Sequence, residues 1–343
     1  DLSYAFGEGR GVERDLKRAR TSAQRACGEG SGLGCYNLGV LYRDGLGTKV
    51  DLTKAADLFD RGCQGGWAKS CNARGIALWR GFGVPVNVEA AAVLFEKSCR
   101  AGIGDGCGNL GDLFVSNKGV PGSLARARTM YGEGCRLADG WSCNELGTMY
   151  DSGEGGAADH LNAFRAFVLG CENGNALACA NVGVLFEHGR GTKQDIAKSM
   201  ELYQLSCERG SGTGCVRLGQ VLYQGKVSGT DQAAAIEWFR RGCYDVRSKS
   251  SWSCNEYGVM LDQGKGTDAD PSKALNVFEA ACGSGYALAC TNAGRIHREG
   301  RAGSVDWTRA RQSFLIGCEA GNGGACLELG VIYFKGLGTN GDP

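Results

Sequence analysis

Proline and net charge are both scarce in this sequence. Only 4 prolines accompany 43% hydrophobic and 22% charged residues, a balance typical of a folded soluble protein and not of a disordered segment. The 38 basic and 37 acidic residues nearly cancel, and no basic stripe could neutralise a run of phosphates. Apolar runs such as VGVLF at 182–186 are far shorter than the roughly 20 residues that cross a bilayer. We therefore expect neither nucleic acid as a partner nor a membrane-spanning segment.

Catalytic motifs are also missing. The sequence has no G-x-S-x-G elbow, H-E-x-x-H, Walker loop, C-x-x-C-H or S-x-x-K with K-T-G, so the usual nucleophile and metal arrangements are absent. Two G-x-G-x-x-G matches, at 106–111 and 336–341, neither follow a strand nor open a dinucleotide-binding unit. The three histidines are interpreted as a loop edge, a helix end and a partly buried replacement for an aromatic residue: His160, His188 and His297. The prediction is no catalytic residue, no metal and no cofactor.

Cysteine and glycine, by contrast, are abundant and periodic. The 18 cysteines form nine pairs whose members lie eight residues apart, except for one pair eleven apart, and the pairs repeat every 36 residues except for one step of 39. The pairs are Cys27 with Cys35, Cys63 with Cys71, Cys99 with Cys107, Cys135 with Cys143, Cys171 with Cys179, Cys207 with Cys215, Cys243 with Cys254, Cys282 with Cys290 and Cys318 with Cys326. Such a period is the signature of a repeat protein.

Each repeat predicts two helices. Four residues after every second cysteine stands a glycine within an apolar stripe of helical spacing, as in Leu38, Gly39 and Leu41, which we name helix A. Further glycines end it. A second stripe, of the form DLTKAADLFDRGC at 51–63, begins with a capping residue and ends at the first cysteine of the next pair, and we name it helix B. One helix pair cannot bury both stripes, so successive pairs must stack into a solenoid.

The segment LGVLYRDGLGTKVDLTKA at 38–55 resembles the Sel-1-like repeat, a relative of the tetratricopeptide repeat with the signature LGxxYxxGxGVxxDxxKA. The spacing of the cysteine pairs is further similar to the Helicobacter-type cysteine-rich subfamily, whose members are exported and disulfide-linked. The resemblance implies an all-α, right-handed α/α solenoid of about nine 36-residue repeats with one disulfide per repeat. We expect one continuous domain over residues 1–343, with partial repeats at both ends and junctions near 27, 63, 99, 135, 171, 207, 243, 282 and 318.

The paired cysteines are interpreted as disulfides made in an oxidising compartment. A bridge within each pair would clamp the turn from helix B to the next helix A. A bridge from Cys35 to Cys63 is the alternative, and it would leave Cys27 and Cys326 without partners. Zinc held by sets of four cysteines is a further alternative, although no C-x-x-C is present.

Candidate binding residues lie on helix A. Two residues before the repeat glycine the chain carries four asparagines, Asn37, Asn109, Asn181 and Asn292, and elsewhere Glu145, Glu256, Glu328 and Arg217. Similarity to tetratricopeptide units places this position on the concave face, where asparagines hold the backbone of an extended peptide. The aromatic residues placed on the same side are Tyr36, Trp79, Trp141, Tyr223, Trp252 and Phe334. In the opposite interpretation the asparagines bond only to neighbouring helices, and some of the aromatics pack between helices.

The sequence thus predicts an exported, disulfide-stabilised scaffold that binds a protein or extended peptide. Two alternatives are a weak β-lactam-binding or hydrolysing protein, as reported for some cysteine-rich relatives, and a structural subunit of a larger surface assembly. The expected location is secreted, periplasmic or on the cell surface. The sequence begins at Asp1 without a charged and apolar leader, and we expect any signal peptide or lipid anchor to have been removed or not resolved.

Overall fold

The computed structural model describes residues 15–116, 123–226, 231–247 and 249–338. These residues form α-helices and no extended strand, so the all-α prediction is confirmed. The helices alternate between helix B and helix A: α1 Leu16–Gly28, α2 Gly32–Asp44, α3 Leu52–Gln64, α4 Ala68–Arg80, α5 Val88–Arg100, α6 Gly104–Ser116, α7 Leu124–Arg136, α8 Gly140–Ser152, α9 His160–Glu172, α10 Ala176–His188, α11 Ile196–Glu208, α12 Gly212–Gln224, α13 Gln232–Tyr244, α14 Ser251–Gln263, α15 Pro271–Gly283, α16 Ala287–Glu299, α17 Trp307–Glu319 and α18 Gly323–Phe334.

The chain divides into two compact units, residues 1–175 with α1–α9 and residues 176–343 with α10–α18. Within each unit a helix packs against the helices before and after it in sequence, and helix A also touches the next helix A at several steps. This neighbour-to-neighbour packing is that of a repeat protein. The expectation of one continuous solenoid across residues 1–343 stays a prediction.

Local chemistry fixes both ends of the helices. The nine B helices that the structure describes begin after an aspartate, asparagine or serine whose side chain accepts a hydrogen bond from a backbone N–H in the first turn, as Asp51 does from Lys54. Such caps satisfy donors that have no partner within the helix. Helix A commonly ends at a glycine with positive φ, as at Gly45 with φ 68°, a conformation that costs glycine little.

The repeat glycine and an aromatic residue of helix B lock each helix pair. A Cβ on Gly75 would lie 2.6 Å from Cε1 of Phe95, and the same close approach recurs in the other pairs at 2.6 to 2.7 Å. The eight rings are at most 3% exposed: Phe59, Phe95, Tyr131, Phe167, Tyr203, Phe239, Phe278 and Phe314. In these eight pairs helix A carries glycine at this position because the ring lies against its backbone, whereas a Cβ on Gly330 of α18 would meet no atom within 4 Å.

The structure has one disulfide per repeat, as predicted. Eight bridges have Cα atoms 4.4 to 4.8 Å apart and join the two cysteines of a predicted pair. They link Cys27 to Cys35, Cys63 to Cys71, Cys99 to Cys107, Cys135 to Cys143, Cys207 to Cys215, Cys243 to Cys254, Cys282 to Cys290 and Cys318 to Cys326. Cys171 and Cys179 are disulfide-bonded as well.

This pairing decides between the alternatives that the sequence left open. Cys35 bonds Cys27 and Cys63 bonds Cys71, so the alternative bridge from Cys35 to Cys63 does not form. The enlarged turn of the seventh pair is closed in the same way, because Cys243 bonds Cys254 across eleven residues. Because all eighteen cysteines are bridged, none supplies a thiolate ligand for zinc.

Candidate functional site on the helix A face

Polar side chains connect consecutive A helices in both units. In the first unit the Nδ2–H of Asn109 on α6 donates to Oδ1 of Asn72 on α4 at 2.8 Å. In the second, Asn292 on α16 donates to Asn255 on α14 at 3.0 Å. The donor lies two residues after a second cysteine, and the acceptor lies one residue after the second cysteine of the previous repeat. We call this surface the helix A face. In each A helix it comprises the donor position and the acceptor position, as at residues 109 and 72, and the positions one and two turns further along the helix.

The same row includes glutamates. Asn144 donates to Oε1 of Glu145 at 3.0 Å, and Asn255 donates to Oε1 of Glu256 at 3.3 Å. Near the end of the chain, Glu328 accepts a hydrogen bond from Arg298 at 2.6 Å. A hydrogen bond to a neighbouring helix is therefore present for Asn109 and Asn292.

The side-chain amides of Asn109 and Asn292 are only partly used in these contacts between helices. A primary amide has two N–H donors and a carbonyl acceptor. The side chains of Asn109 and Asn292 make only the single N–H contact to the preceding helix among the described residues. Both are half-buried, so a fixed amide presents one donor and one acceptor at the surface. Asn37 and Asn181, the equivalent residues of α2 and α10, are also half-buried.

The predicted aromatic residues differ in how much of each ring contacts other residues of the chain. Trp79 makes an edge contact with Phe95 at 6.1 Å and lies beneath the guanidinium of Arg80 at 4.0 Å. The hydroxyl of Tyr223 accepts a hydrogen bond from Lys265 at 2.5 Å. These two rings are engaged within the fold, and Tyr36 contacts Phe59 at 5.9 Å.

Other rings face solvent to a greater extent. Trp141 is 40% exposed and Phe334 is 91% exposed, whereas Trp252 is half-buried. Trp141 touches Tyr131 edge to face at 5.6 Å. Among the predicted tryptophans, Trp141 therefore offers the most ring surface to a ligand.

A cavity of about 260 Å³ opens among α2, α3 and α4 of the first unit. Its walls include Tyr36 and Arg43 of α2 and Lys69, Asn72 and Ile76 of α4. Sequence reasoning proposed Tyr36 but missed Asn72. A signal was available, because Asn72, Asn144 and Asn255 stand at one repeat position.

Two of the three histidines, His297 and His160, lie within hydrogen-bond distance of a carboxylate. His297 is 6% exposed, and its Nε2 lies 3.0 Å from Oε1 of Glu279. His160 Nδ1 lies 2.8 Å from Asp151. Among the described residues, no cluster of three or more histidine, cysteine or acidic side chains could hold a metal ion, and no helix is long and apolar enough to cross a membrane.

The repeat pattern of the Sel1 family matches residues 1–31, 32–67, 68–103, 142–175, 176–211, 213–245, 253–286 and 324–343, more than half of the chain. The chain belongs to the Sel1 repeat family. No curated protein matches it significantly in sequence. The nine disulfides further indicate that this Sel1 repeat protein resides in an oxidising compartment outside the cytoplasm.

Solved structures of other Sel1 repeat proteins share the fold. One is c5321, a protective antigen of uropathogenic Escherichia coli, with 24% identity and a TM-score of 0.64 over 99% of this chain and 80% of that one. A Sel1 repeat protein from Oxalobacter formigenes has 23% identity and a TM-score of 0.62 over 84% and 82% of the two chains. Cysteine rich protein B of Helicobacter pylori gives only a partial match, with 22% identity and a TM-score of 0.33 over 38% of this chain and 93% of that one, and is not counted among the structures that share the fold.

One carboxylate on the helix A face is held in an unfavourable environment. Burial raises the pKa of Asp112 to about 6, although the Tyr131 hydroxyl donates to it at 2.7 Å. The negative charges of Glu145 and Asp139 raise the pKa further, and Arg80 opposes them. Sequence reasoning missed Asp112, whose only signal was an acid directly after the repeat glycine.

A second buried carboxylate shows the contrast. Burial alone would raise the pKa of Glu187, but hydrogen bonds from Lys226 at 2.5 Å and Tyr203 at 2.6 Å outweigh burial and lower it. Glu187 is thus neutralised by a cation of its own chain. Asp112 has a tyrosine partner but no comparable ion pair among the described residues.

We predict that Asp112→Asn stabilises the protein at pH 7.5 by about 2 kcal/mol, a value that allows for solvent screening of this half-buried carboxylate. The folded-state pKa exceeds the ordinary value of 3.8, so the folded chain binds more protons between about pH 4 and pH 6, and stability falls as the pH rises through this window. Asparagine keeps an acceptor for Tyr131 without the charge. Urea unfolding at pH 7.5 and pH 4 measures the gain, which should fall to a small fraction of its pH 7.5 value at pH 4.

Asp44→Asn is the matched control, because the hydrogen bond from Arg43 lowers the pKa of Asp44. This variant should gain no stability at pH 7.5. Equal gains in both variants, or a gain of Asp112→Asn that persists at pH 4, would contradict the assignment.

Proposed function

We propose that this Sel1 repeat protein is a scaffold that binds extended segments of partner proteins along the helix A faces of its units. The backbone contacts are assigned to Asn37, Asn109, Asn181 and Asn292, and the side-chain contacts to Tyr36 and Trp141. Three further predicted rings, Trp79, Tyr223 and Trp252, are left out of the proposal because Arg80, Lys265 and Arg217 already engage them. We further propose export to the periplasm, the cell surface or the medium.

The observation that carries this proposal is the hydrogen bonding of the asparagine side chains on helix A. One N–H of Asn109 and of Asn292 fixes the side chain to the preceding helix, which leaves one donor and one acceptor for a ligand. A peptide unit offers the complementary acceptor and donor. Because the rotamer is already fixed, less conformational entropy is lost when a peptide binds.

The surroundings suit an extended chain. Residues at one place of each 36-residue unit form a row, so successive backbone groups of a peptide meet successive repeats. The cavity beside Tyr36 and Asn72 can receive a side chain between two such contacts. Its charged walls, from Arg43, Lys69 and Asp105, favour a polar or mixed sequence over an entirely apolar one.

We predict that Asn109→Ala weakens the binding of a peptide to the first unit about tenfold or more. Two hydrogen bonds of roughly 0.5 to 1.5 kcal/mol each are lost, which corresponds to a 5- to 150-fold change. Random dodecapeptides displayed on phage and selected on the immobilised protein supply the ligands, and fluorescence anisotropy of the labelled peptides supplies Kd. Asn292→Ala tests the second unit in the same way.

Two controls separate binding from stability. Asn72→Ala removes the same contact between helices but leaves the Asn109 amide in place, so it should match Asn109→Ala in melting temperature and retain more affinity. Asn276→Ala removes an exposed amide on helix B and should change neither. Selected peptides that bind Asn109→Ala and Asn292→Ala as tightly as the wild type would show that the amide row is structural only.

A further inference from the structure

One five-residue segment occurs twice at the same place in the repeat. WSCNE stands at 141–145 and at 252–256, and each tryptophan is the second residue of its helix, α8 or α14. In both copies the asparagine donates to the adjacent glutamate, at 3.0 and 3.3 Å. The tryptophan and the glutamate are four residues apart and therefore lie on one face of the helix.

In the second unit the chain itself places a cation at this segment. The guanidinium carbon of Arg217 on α12 lies 5.2 Å from the centre of the Trp252 ring, which is within the range of a cation–π contact. The Nε of Arg217 is buried and has no hydrogen-bond partner among the described residues. The aromatic ring is thus a main partner of this guanidinium.

In the first unit the corresponding cation is absent. Gly108 and Asn109 of α6 stand where α12 has Val216 and Arg217, and the Asn109 amide is turned to Asn72. The Trp141 ring lies against Gly108, since a Cβ there would be 3.2 Å from two ring carbons. The tryptophan is still 40% exposed, so ring surface remains that no cation of the described chain covers.

The charges around Trp141 are mainly negative. Asp112 lies one turn beyond Gly108 on α6 and is bonded to Tyr131, the ring that Trp141 touches. Glu145 lies one turn beyond Trp141, and both Glu145 and Asp139 interact electrostatically with Asp112. Among the described residues, the one cation that acts on this carboxylate is Arg80, which stacks on Trp79.

We propose that Trp141, Asp112 and Glu145 form a subsite for the guanidinium group of an arginine side chain, in the role that Arg217 fills at Trp252. The subsite rests on the proposed peptide-binding function and gives it a chemical preference, namely a segment that carries arginine at the first unit. The ring supplies a cation–π contact, and the carboxylates supply the charge complement.

The probe is Nα-acetylarginine methylamide, with the neutral citrulline analogue as its matched control. The signal is the indole N–H resonance of Trp141, assigned through Trp141→Phe. Arginine should shift this resonance saturably at millimolar concentration, and citrulline should bind at least about fivefold more weakly, since it keeps the shape but loses the charge. Asp112→Asn should weaken arginine binding by a similar factor.

Arg217→Ala provides a gain-of-binding test. Removal of this side chain opens the Trp252 ring, whose resonance should be silent in the wild type and should respond to arginine in the variant. A Trp141 resonance that does not move, or that moves equally with citrulline, overturns the proposal. A Trp252 resonance that stays silent in Arg217→Ala also overturns it, because the equivalence of the two segments is then lost.

These outcomes are separate from those of the peptide test. A protein that binds the arginine probe but none of the selected dodecapeptides keeps the subsite and loses the proposed function. Suppose instead that the selected peptides bind the first unit although their sequences lack arginine, and that the arginine probe does not shift the Trp141 resonance. The proposed function is then supported and the subsite is refuted.

Discussion

Reduction of the disulfides is expected to lower the thermal midpoint of unfolding by tens of degrees or to unfold the chain outright. Each bridge closes a short loop, eight residues in most repeats, and chain-entropy reasoning assigns such a loop about 2 to 3 kcal/mol. Nine bridges would then contribute more than the roughly 5 to 15 kcal/mol that separates most folded domains from their unfolded state. Circular dichroism melts with and without reductant measure the effect.

The placement of the bridges strengthens this expectation. Each one ties the last turn of helix B to the first turn of the next helix A, and in a repeat protein such junctions carry the coupling between neighbouring units. Removal of one internal bridge, with Cys99 and Cys107 both changed to serine, should cost about 2 to 5 kcal/mol. A thiol titration verifies that reduction is complete. If the thermal midpoint is then unchanged, the disulfides do not contribute to the stability of the fold.

The helices and bridges were predictable because their causes are local in sequence. A capping residue such as Asp51, the glycine at Gly45 and the cysteine pair at each turn act over a few residues. A strict 36-residue period then repeats these local causes. The pairing of the cysteines was favoured by the same local causes but not decided by them, because two antiparallel helices also bring Cys35 and Cys63 to one end. The structure decides for the bridge across the turn.

The chemistry of the helix A face was less accessible from the sequence. The contact of Asn109 with Asn72 joins residues 37 positions apart, and its existence depends on the rotation of two neighbouring helices. The periodic pattern does not report that rotation. Asp112 shows the same limit, since a carboxylate after the repeat glycine could face solvent, and only the packed structure shows that it accepts a hydrogen bond from the Tyr131 hydroxyl.

The tryptophans of helix A divide into covered and open rings, and the sequence could not predict this division for a related reason. Spacing placed Trp79, Trp141 and Trp252 on one side of helix A, and it could not show which rings the chain would cover. The covering cations come from a neighbouring residue for Trp79 and from another repeat for Trp252. Trp141 stays open because Gly108 and Asn109 occupy the positions of Val216 and Arg217.

The contact between the repeat glycine and the helix B ring supplies the second large expected effect. Phe95→Ala should destabilise the protein by about 3 to 5 kcal/mol, because a fully buried ring is lost and a cavity is left in the centre of a helix pair. Gly75→Ala should cost about 1 to 3 kcal/mol, since its methyl group would come within 2.6 Å of that ring. Both free energies of unfolding are measured in urea.

The double variant decides whether the two residues act as one contact. The alanine methyl group at position 75 enters the space that the ring has left, so Gly75→Ala combined with Phe95→Ala should cost at least about 1 kcal/mol less than the sum of the single changes. Gly132→Ala on α7, where an added Cβ meets no atom within 4 Å, should instead stabilise by about 0.5 to 1 kcal/mol through helix propensity. Val93→Ala, at a side chain 65% exposed on the same helix as Phe95, should change little. Strict additivity at Gly75 and Phe95 would mean that each residue acts independently, and the repeat glycine would then need another explanation.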